Sequence, residues 1–169
     1  SPKGIEANRI AKILFGIALF VLLFGGLRFG YDIKALLSIQ RRSFLVRRIG
    51  RIEVLINETI QVPFSYWFPF TARVIIPADF LHSREKYKMA LFHELQHHRQ
   101  GDTKWIFVLW GFRVLCIFNP FLHFWCRWLN ELQEFACDEA LIKLGKVKSP
   151  QYARCLIEVA ESALHEKYV

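Results

Sequence analysis

The sequence has no CxxC pair, although it carries four cysteines, at positions 116, 126, 137 and 155. Their spacing matches no disulfide framework, so the expected state is reduced thiols in a protein that faces a reducing compartment. No internal repeat, low-complexity tract or linker interrupts the 169 residues, a length that suits one domain with a real core. Acidic residues are few: 15 Asp and Glu against 23 Lys and Arg leave a formal charge of +8. The chain is 53% hydrophobic, with 16 Phe and 5 Trp, and its apolar residues fall in long runs. That combination points to a membrane surface rather than to nucleic acid. No Met opens the chain; beginning at Ser1, it is expected to be a piece or a processed product of something longer.

What is present starts with an uncharged apolar run, ILFGIALFVLLFGGL, from Ile13 to Leu27. Lys12 and Arg28 bound it, and their stems can snorkel to a membrane interface. Fifteen residues fall short of the ~17–25 that a span wants, but Ile10, Ala11 and Phe29 extend the run. No small-x-small cleavage site follows Gly26, which argues against a signal peptide. Seven cations follow the run (Arg28, Lys34, Arg41, Arg42, Arg47, Arg48, Arg51), whereas only Lys3, Arg9 and Lys12 precede it. This excess predicts a transmembrane helix whose C-terminal side lies in the cytoplasm. The same arginines suit phospholipid headgroups, so the bilayer is the expected partner and direct nucleic-acid binding is not.

Beyond the run, IEVLIN (52–57) and ARVIIP (72–77) read as two strands joined by a connection too long for a tight hairpin turn. Pro63 and Pro69 are expected to keep the connection from pairing fully. Ser83 opens a helix as N-cap and Gly101 closes it. Asp102 is most simply the cap of the next helix, 105–118, which is apolar nearly all round except for Arg113 and is expected to lie against or within the bilayer. Asn119-Pro120 starts another helix, one over about 130–144 ends at Gly145, and Ser149-Pro150 opens the last.

The helix after Ser83 carries ALFHELQHHRQGD, in which His93-Glu94-Leu95-Gln96-His97 is HExxH. Positions i and i+4 share one helix face, so both imidazoles can address one metal ion while Glu94 reaches a water bound to it. His98 points about 100° away. A catalytic zinc needs a third protein ligand and an open position. The chain supplies candidates at NELQEFACDEAL (130–141): Glu134 and Asp138 lie one turn apart on one face, with Glu131 a turn earlier. One of Glu134 and Asp138 can bind metal while the other accepts the N–H of a ligating histidine.

HExxH followed on a later helix by ExxxD resembles the gluzincin metallopeptidases. FHELQHHRQGD, then FNP (118–120), then ExxCD (134–138) is similar to the bacterial integral-membrane peptidases of the β-lactam-sensing BlaR/MecR antirepressor family. QVPFSYWFPFTARVIIPADF (61–80) resembles the strand region that precedes HExxH there. The resemblance implies an α+β, mostly α fold: a membrane helix, then a small peptidase domain with a short β-sheet before the HExxH helix. It divides the chain into residues 1–30, the transmembrane helix and its flank, and residues 31–169, a zinc peptidase domain facing the cytoplasm at the bacterial inner membrane. It implies that His93, His97 and Glu134 bind Zn2+, that Glu94 is the general base, and that Asp138 supports a ligand from behind; Asp102 is a further candidate for a link to the histidines. The implied activity is limited proteolysis of the protein itself or of a repressor-like protein. The only SxxK, Ser83 to Lys86, has no KTG or SDN partner and is better explained by the helix cap, so the penicillin-binding sensor of that family is not in this chain. Tyr66, His123 and Tyr152 are candidates to stabilise an oxyanion, and the strand ending at Ile76 could offer its edge to an extended substrate. The competing expectation is a catalytically silent zinc-binding or basic membrane-anchored scaffold.

Overall fold

A computed structural model describes residues 2–168, apart from 68–70, 117–118, 146 and 148. Pro69 and Phe118 therefore lie outside the described residues. The chain folds as α1 (Pro2–Arg41), β1 (Phe44–Ile49), β2 (Ile52–Asn57), β3 (Phe64–Trp67) and β4 (Ala72–Pro77). A 3-10 turn (Ala78–His82) leads into α2 (Arg84–Gln100), α3 (Asp102–Leu115), α4 (Pro120–Lys143) and α5 (Ser149–Tyr168). This is an α+β, mostly helical fold with a small sheet before the HExxH helix.

No proline interrupts the sequence between 3 and 41, and α1 runs through without a break. Within it, 8–41 is long and apolar enough to cross a membrane, and most of its apolar side chains along 10–27 are exposed, Val21 being buried. At 1.5 Å per residue a helix of 40 residues is about 60 Å long, twice the ~30 Å of a bilayer core. The last turns of α1 pack on the sheet. Leu36 and Ile39 pack on Leu55, Tyr66 and Ile75, one face of the sheet. Asn57, fully buried at the end of β2, fastens this junction: its amide donates to Ile39 O (3.1 Å) and Ser43 Oγ (2.9 Å), and its carbonyl accepts from Thr59 N and Oγ1 (2.7 Å each). All the polar capacity of that side chain is used, as burial demands.

The sheet order is β1-β2-β4-β3. The two strands legible in the sequence, β2 and β4, are neighbours in parallel register, Val54 opposite Val74 and Ile56 opposite Ile76. Two further strands flank them. β1 makes a hairpin with β2 through Gly50-Arg51, where Gly50 has φ 59°. β3 pairs antiparallel with β4 from Phe64 to Trp67, directly after Pro63, so the connection pairs over those four residues. β4 is thus interior, and the edges are β1 and β3. The expectation that the strand ending at Ile76 offers an edge is corrected accordingly.

Strand alternation sets the core. Val54, Ile56, Val74 and Ile76 face α2, where they meet Phe80, Ala90 and Leu91, while Leu55 and Ile75 face α1. Beyond α2, Cys137, Leu141 and Tyr152 bring α4 and α5 together. The segment 130–144 is the second half of one helix that begins at Pro120, because nothing between 120 and 143 stops it.

Candidate metal centre

The centre is built on α2. Ser83 Oγ accepts the Lys86 amide at 3.3 Å and starts the helix. Gly101 ends it with φ 86°, a left-handed conformation that strains any residue with a Cβ. α3 begins at the next residue. This abrupt junction returns Asp102 over the last turn of α2, where its Oδ2 lies 2.9 Å from His97 Nδ1. Asp102 makes no side-chain cap bond; it is the first residue of α3 and its carboxylate serves His97 instead.

His93 and His97, one turn apart, turn their Nε2 atoms towards each other at 3.1 Å, with the rings nearly perpendicular at 85°. Behind His93, Nδ1 lies 2.7 Å from the Tyr152 hydroxyl and 3.3 Å from Asp138 Oδ1. The Tyr152 O–H donates to Asp138 at 2.6 Å, so its oxygen is left to accept the His93 Nδ1–H. Both Nδ1 atoms therefore act as donors, and both Nε2 atoms carry bare lone pairs that face one gap. The Glu134 carboxylate closes the third side, 3.3 Å from His93 Nε2 and 3.6 Å from His97 Nε2.

Three lone-pair donors at 3.1, 3.3 and 3.6 Å repel one another unless a cation lies among them. An ion held tetrahedrally at ~2.0–2.1 Å keeps neighbouring ligand atoms about 3.3–3.4 Å apart, so this triangle fits one. The electrostatics agree. Burial alone would lower both imidazoles, but the Cys137 sulfur and the Glu134 carboxylate raise His93 to about 10, and these two with Asp102 raise His97 to about 11. The two histidines hold the Glu134 carboxyl far below its ordinary range. The anionic groups around the two rings favour positive charge at this centre.

Cys137 is also close. Its Sγ, with nitrogen atoms of His93 and His97, forms a group of ligand-type atoms within 4.8 Å of one another. Sequence geometry points this thiol about 100° aside; the structure buries it fully, yet against His93, 3.7 Å from Nδ1 and 3.5 Å from the backbone oxygen. It lies against the Nδ1 side of His93 and within reach of His97 as well, which makes it the competing third ligand beside Glu134. Burial would raise the thiol, but the neighbouring imidazoles draw it below its ordinary value.

Glu94 is buried, which raises its carboxyl, while the Ser65 hydroxyl and the two imidazoles pull the other way. Ser65 comes from β3, whose alternation turns Phe64 and Tyr66 to the α1 face and Ser65 to the cavity. That cavity, about 550 Å³, contains His93, Glu94, His97 and Glu134 and runs on to the apolar walls of Phe80, Met89 and Leu156.

The remaining candidates are elsewhere. Glu131 pairs with Arg127 on an exposed face of α4, at 3.2 Å, not with the histidines. His98 bonds Thr103 Oγ1 (3.1 Å) and lies 3.4 Å from Arg73 O, turned from the gap. Tyr66 donates to Gln40 of α1 on the opposite face of the sheet, and His123 is exposed near the start of α4. Tyr152 stands behind His93 rather than before the gap, so none of the three oxyanion candidates faces it. The Ser65 contact had no signal in the sequence beyond its place in a short β-prone run.

A family model described as BlaR1 peptidase M56 matches residues 2–169. A search of curated proteins finds no match.

Proposed function

The chain belongs to the BlaR1 peptidase M56 family, and on that premise we propose that it is a membrane-bound zinc endopeptidase performing regulatory proteolysis of itself or of a repressor-like protein. Residues 1–30 anchor it and residues 31–169 form the peptidase domain, facing the cytoplasm. His93, His97 and Glu134 hold Zn2+. The observation that carries the reading is the pair of bare Nε2 atoms 3.1 Å apart with one carboxylate across both.

Zinc, when bound, supplies a water acidified towards a pKa of ~7 and a Lewis acid for the scissile carbonyl. Glu94, next in sequence to the first histidine and buried in the cavity wall, would be the proton acceptor for the attacking water and the donor to the leaving amine. Asp102 and the Tyr152–Asp138 pair hold the imidazoles as Nδ1–H tautomers, which keeps Nε2 available. The free edge of β3, with Ser65 in the cavity lining, can align an extended peptide by main-chain hydrogen bonds.

The test is zinc content and peptide cleavage for the full chain and for Glu94→Gln. One zinc per chain is expected in both, with cleavage lower by ~10²–10⁴ in the variant. Equal turnover would remove Glu94 from the mechanism. Bound zinc with no cleavage by either protein would favour a silent scaffold.

A further inference from the structure

We propose that the α3–α4 hairpin is a second membrane anchor, a wedge that enters the cytoplasmic leaflet beside α1 without spanning it. This rests on reading α1 as the membrane span and adds an interaction surface that the peptidase reading does not require.

The first observation is exposure. From Trp105 to Cys126 the sequence has a single formal charge, Arg113. Trp105, Phe112 and Leu115 of α3, and Phe121 and Trp125 of α4, are all more than half exposed or at half. Further along α4, Trp128 continues the same character. Soluble domains rarely leave such a contiguous apolar patch uncovered. Large aromatics around an apolar tip suit the interfacial layer, where amphipathic rings settle.

The second observation says which partner covers it. The patch is continuous with α1. A Cβ on Gly25 would come within 2.6 Å of Val114 Cγ1, and the Phe29 and Trp110 rings lie 4.3 Å apart. These contacts step one turn forward along α1 and one turn back along α3, so the two helices are antiparallel. Arg28, where charge resumes on α1, is then level with about Gly111. Residues 112–115 extend roughly 6 Å past that level, and interfacial helices insert by ~5–10 Å.

The third observation is the turn itself. Backbone that enters an apolar layer must satisfy its own polar groups. The Cys116 amide donates to Phe112 O (2.9 Å) and the Asn119 amide to Cys116 O (2.9 Å). Pro120 has no N–H, and the Phe121 amide donates to Asn119 Oδ1 (3.1 Å). The Leu122 amide donates to Asn119 O (3.2 Å). Among the described residues, every amide of the turn from 116 to 122 has its acceptor. Arg113, two residues past that level, has a buried Nε without a hydrogen-bond partner among the described residues, and a side chain long enough for the end of its guanidinium to snorkel back to phosphate. Because α3 starts at Asp102, which holds His97, the wedge would keep the metal centre within about 14 Å of the interface at 1.5 Å per residue.

The test uses the unmodified full chain in phosphatidylcholine–phosphatidylglycerol vesicles that contain a diazirine on the acyl chain, with adducts mapped by mass spectrometry. A water-soluble diazirine is the counter-probe. Acyl-chain adducts are expected on 13–27 and on 112–125, at least roughly tenfold above the yield on β2 and β4. Labelling of 13–27 alone, with 112–125 modified by the aqueous probe, overturns the wedge and leaves the span. Protection of 112–125 from both probes also overturns it and assigns the patch to a protein partner or a second copy. Absence of acyl-chain adducts on both segments overturns the span reading together with the wedge. Zinc content measured on the same sample reports separately on the peptidase reading.

Discussion

Tyr152 places its hydroxyl 2.7 Å from Nδ1 of His93, a residue 59 positions earlier in the chain. The phenol passes the influence of Asp138 to the imidazole, since it donates to that carboxylate at 2.6 Å. Tyr152→Phe keeps the buried ring but removes the link. Supports of this kind are worth ~10–100-fold in metal affinity, and Asp138 already lies 3.3 Å from Nδ1, so the loss for Tyr152→Phe is expected near tenfold. Asp138→Asn, which removes the charge, should lose more. Competition with a zinc chelator measures both, and wild-type affinity in Tyr152→Phe would dismiss the relay.

The third ligand can be decided between Glu134 and Cys137. Glu134→Gln keeps the size of the side chain that faces both Nε2 atoms and should lose most of the bound zinc. Cys137→Ala should retain one zinc per chain at a packing cost of about 1–2 kcal/mol. Metal analysis after dialysis gives the answer. Zinc lost from the alanine variant and kept by the glutamine variant would redraw the ligand set around sulfur.

Orientation can be read from Glu85, which is exposed in the first turn of α2. In Glu85→Cys, a membrane-impermeant thiol reagent should label intact cells no more than the parent protein and label strongly after permeabilisation. Strong labelling of intact cells would place the domain outside.

The sheet carries its own pH dependence. Glu53 of β2 is held below its ordinary value of 4.5 chiefly by its bond to Arg48, against the opposing effect of burial, and further by Arg73, which donates from 3.0 Å. A depressed folded pKa means that this contribution is complete above the unfolded value and is lost as pH falls through the folded one. The pairs are worth ~0.2–1 kcal/mol at neutral pH. Glu53→Gln should therefore melt slightly lower than the parent at pH 7, with the difference shrinking as pH falls below 4.5 and through the depressed folded value. A difference that persists in acid would mean the effect is not ionic.

The α1–α3 contact should tolerate no side chain at Gly25. Val114 is β-branched and stiff, so it cannot swing away from an added Cβ 2.6 Å distant. Gly25→Leu is expected to part the two helices, and Val114→Ala in the same chain to restore the approach in part. Cross-linking yield between cysteines placed at Phe29 and Trp110 is the measure. Equal yield in Gly25→Leu and the parent would show that the helices meet elsewhere.

What the sequence determined by itself was local. An uncharged run sets a membrane-length helix, HExxH at helical spacing puts two imidazoles on one face, and Ser83, Gly101 and Asn119-Pro120 start and stop helices within a turn of themselves. Each depends on neighbours a few residues away, where periodicity and capping act. The rest depended on which surfaces meet. β1 and β3 were hidden because FLVRRI and FSYW alternate weakly, and the parallel pairing of β2 with β4 needs a partner outside its own hairpin. ExxxD narrowed the acidic candidates but could not show that Arg127 would draw Glu131 outward while Glu134 turned in. The sequence left Asp102 open between a cap, which its place after Gly101 suits, and a link to the histidines; the left-handed glycine brings it to His97. Tyr152 and Ser65 reach the centre only because α5 and β3 pack beside α2, and no spacing along the chain carries that information. A buried polar group takes the partner that tertiary packing brings within 3 Å, so tertiary structure chose which residues support the histidines.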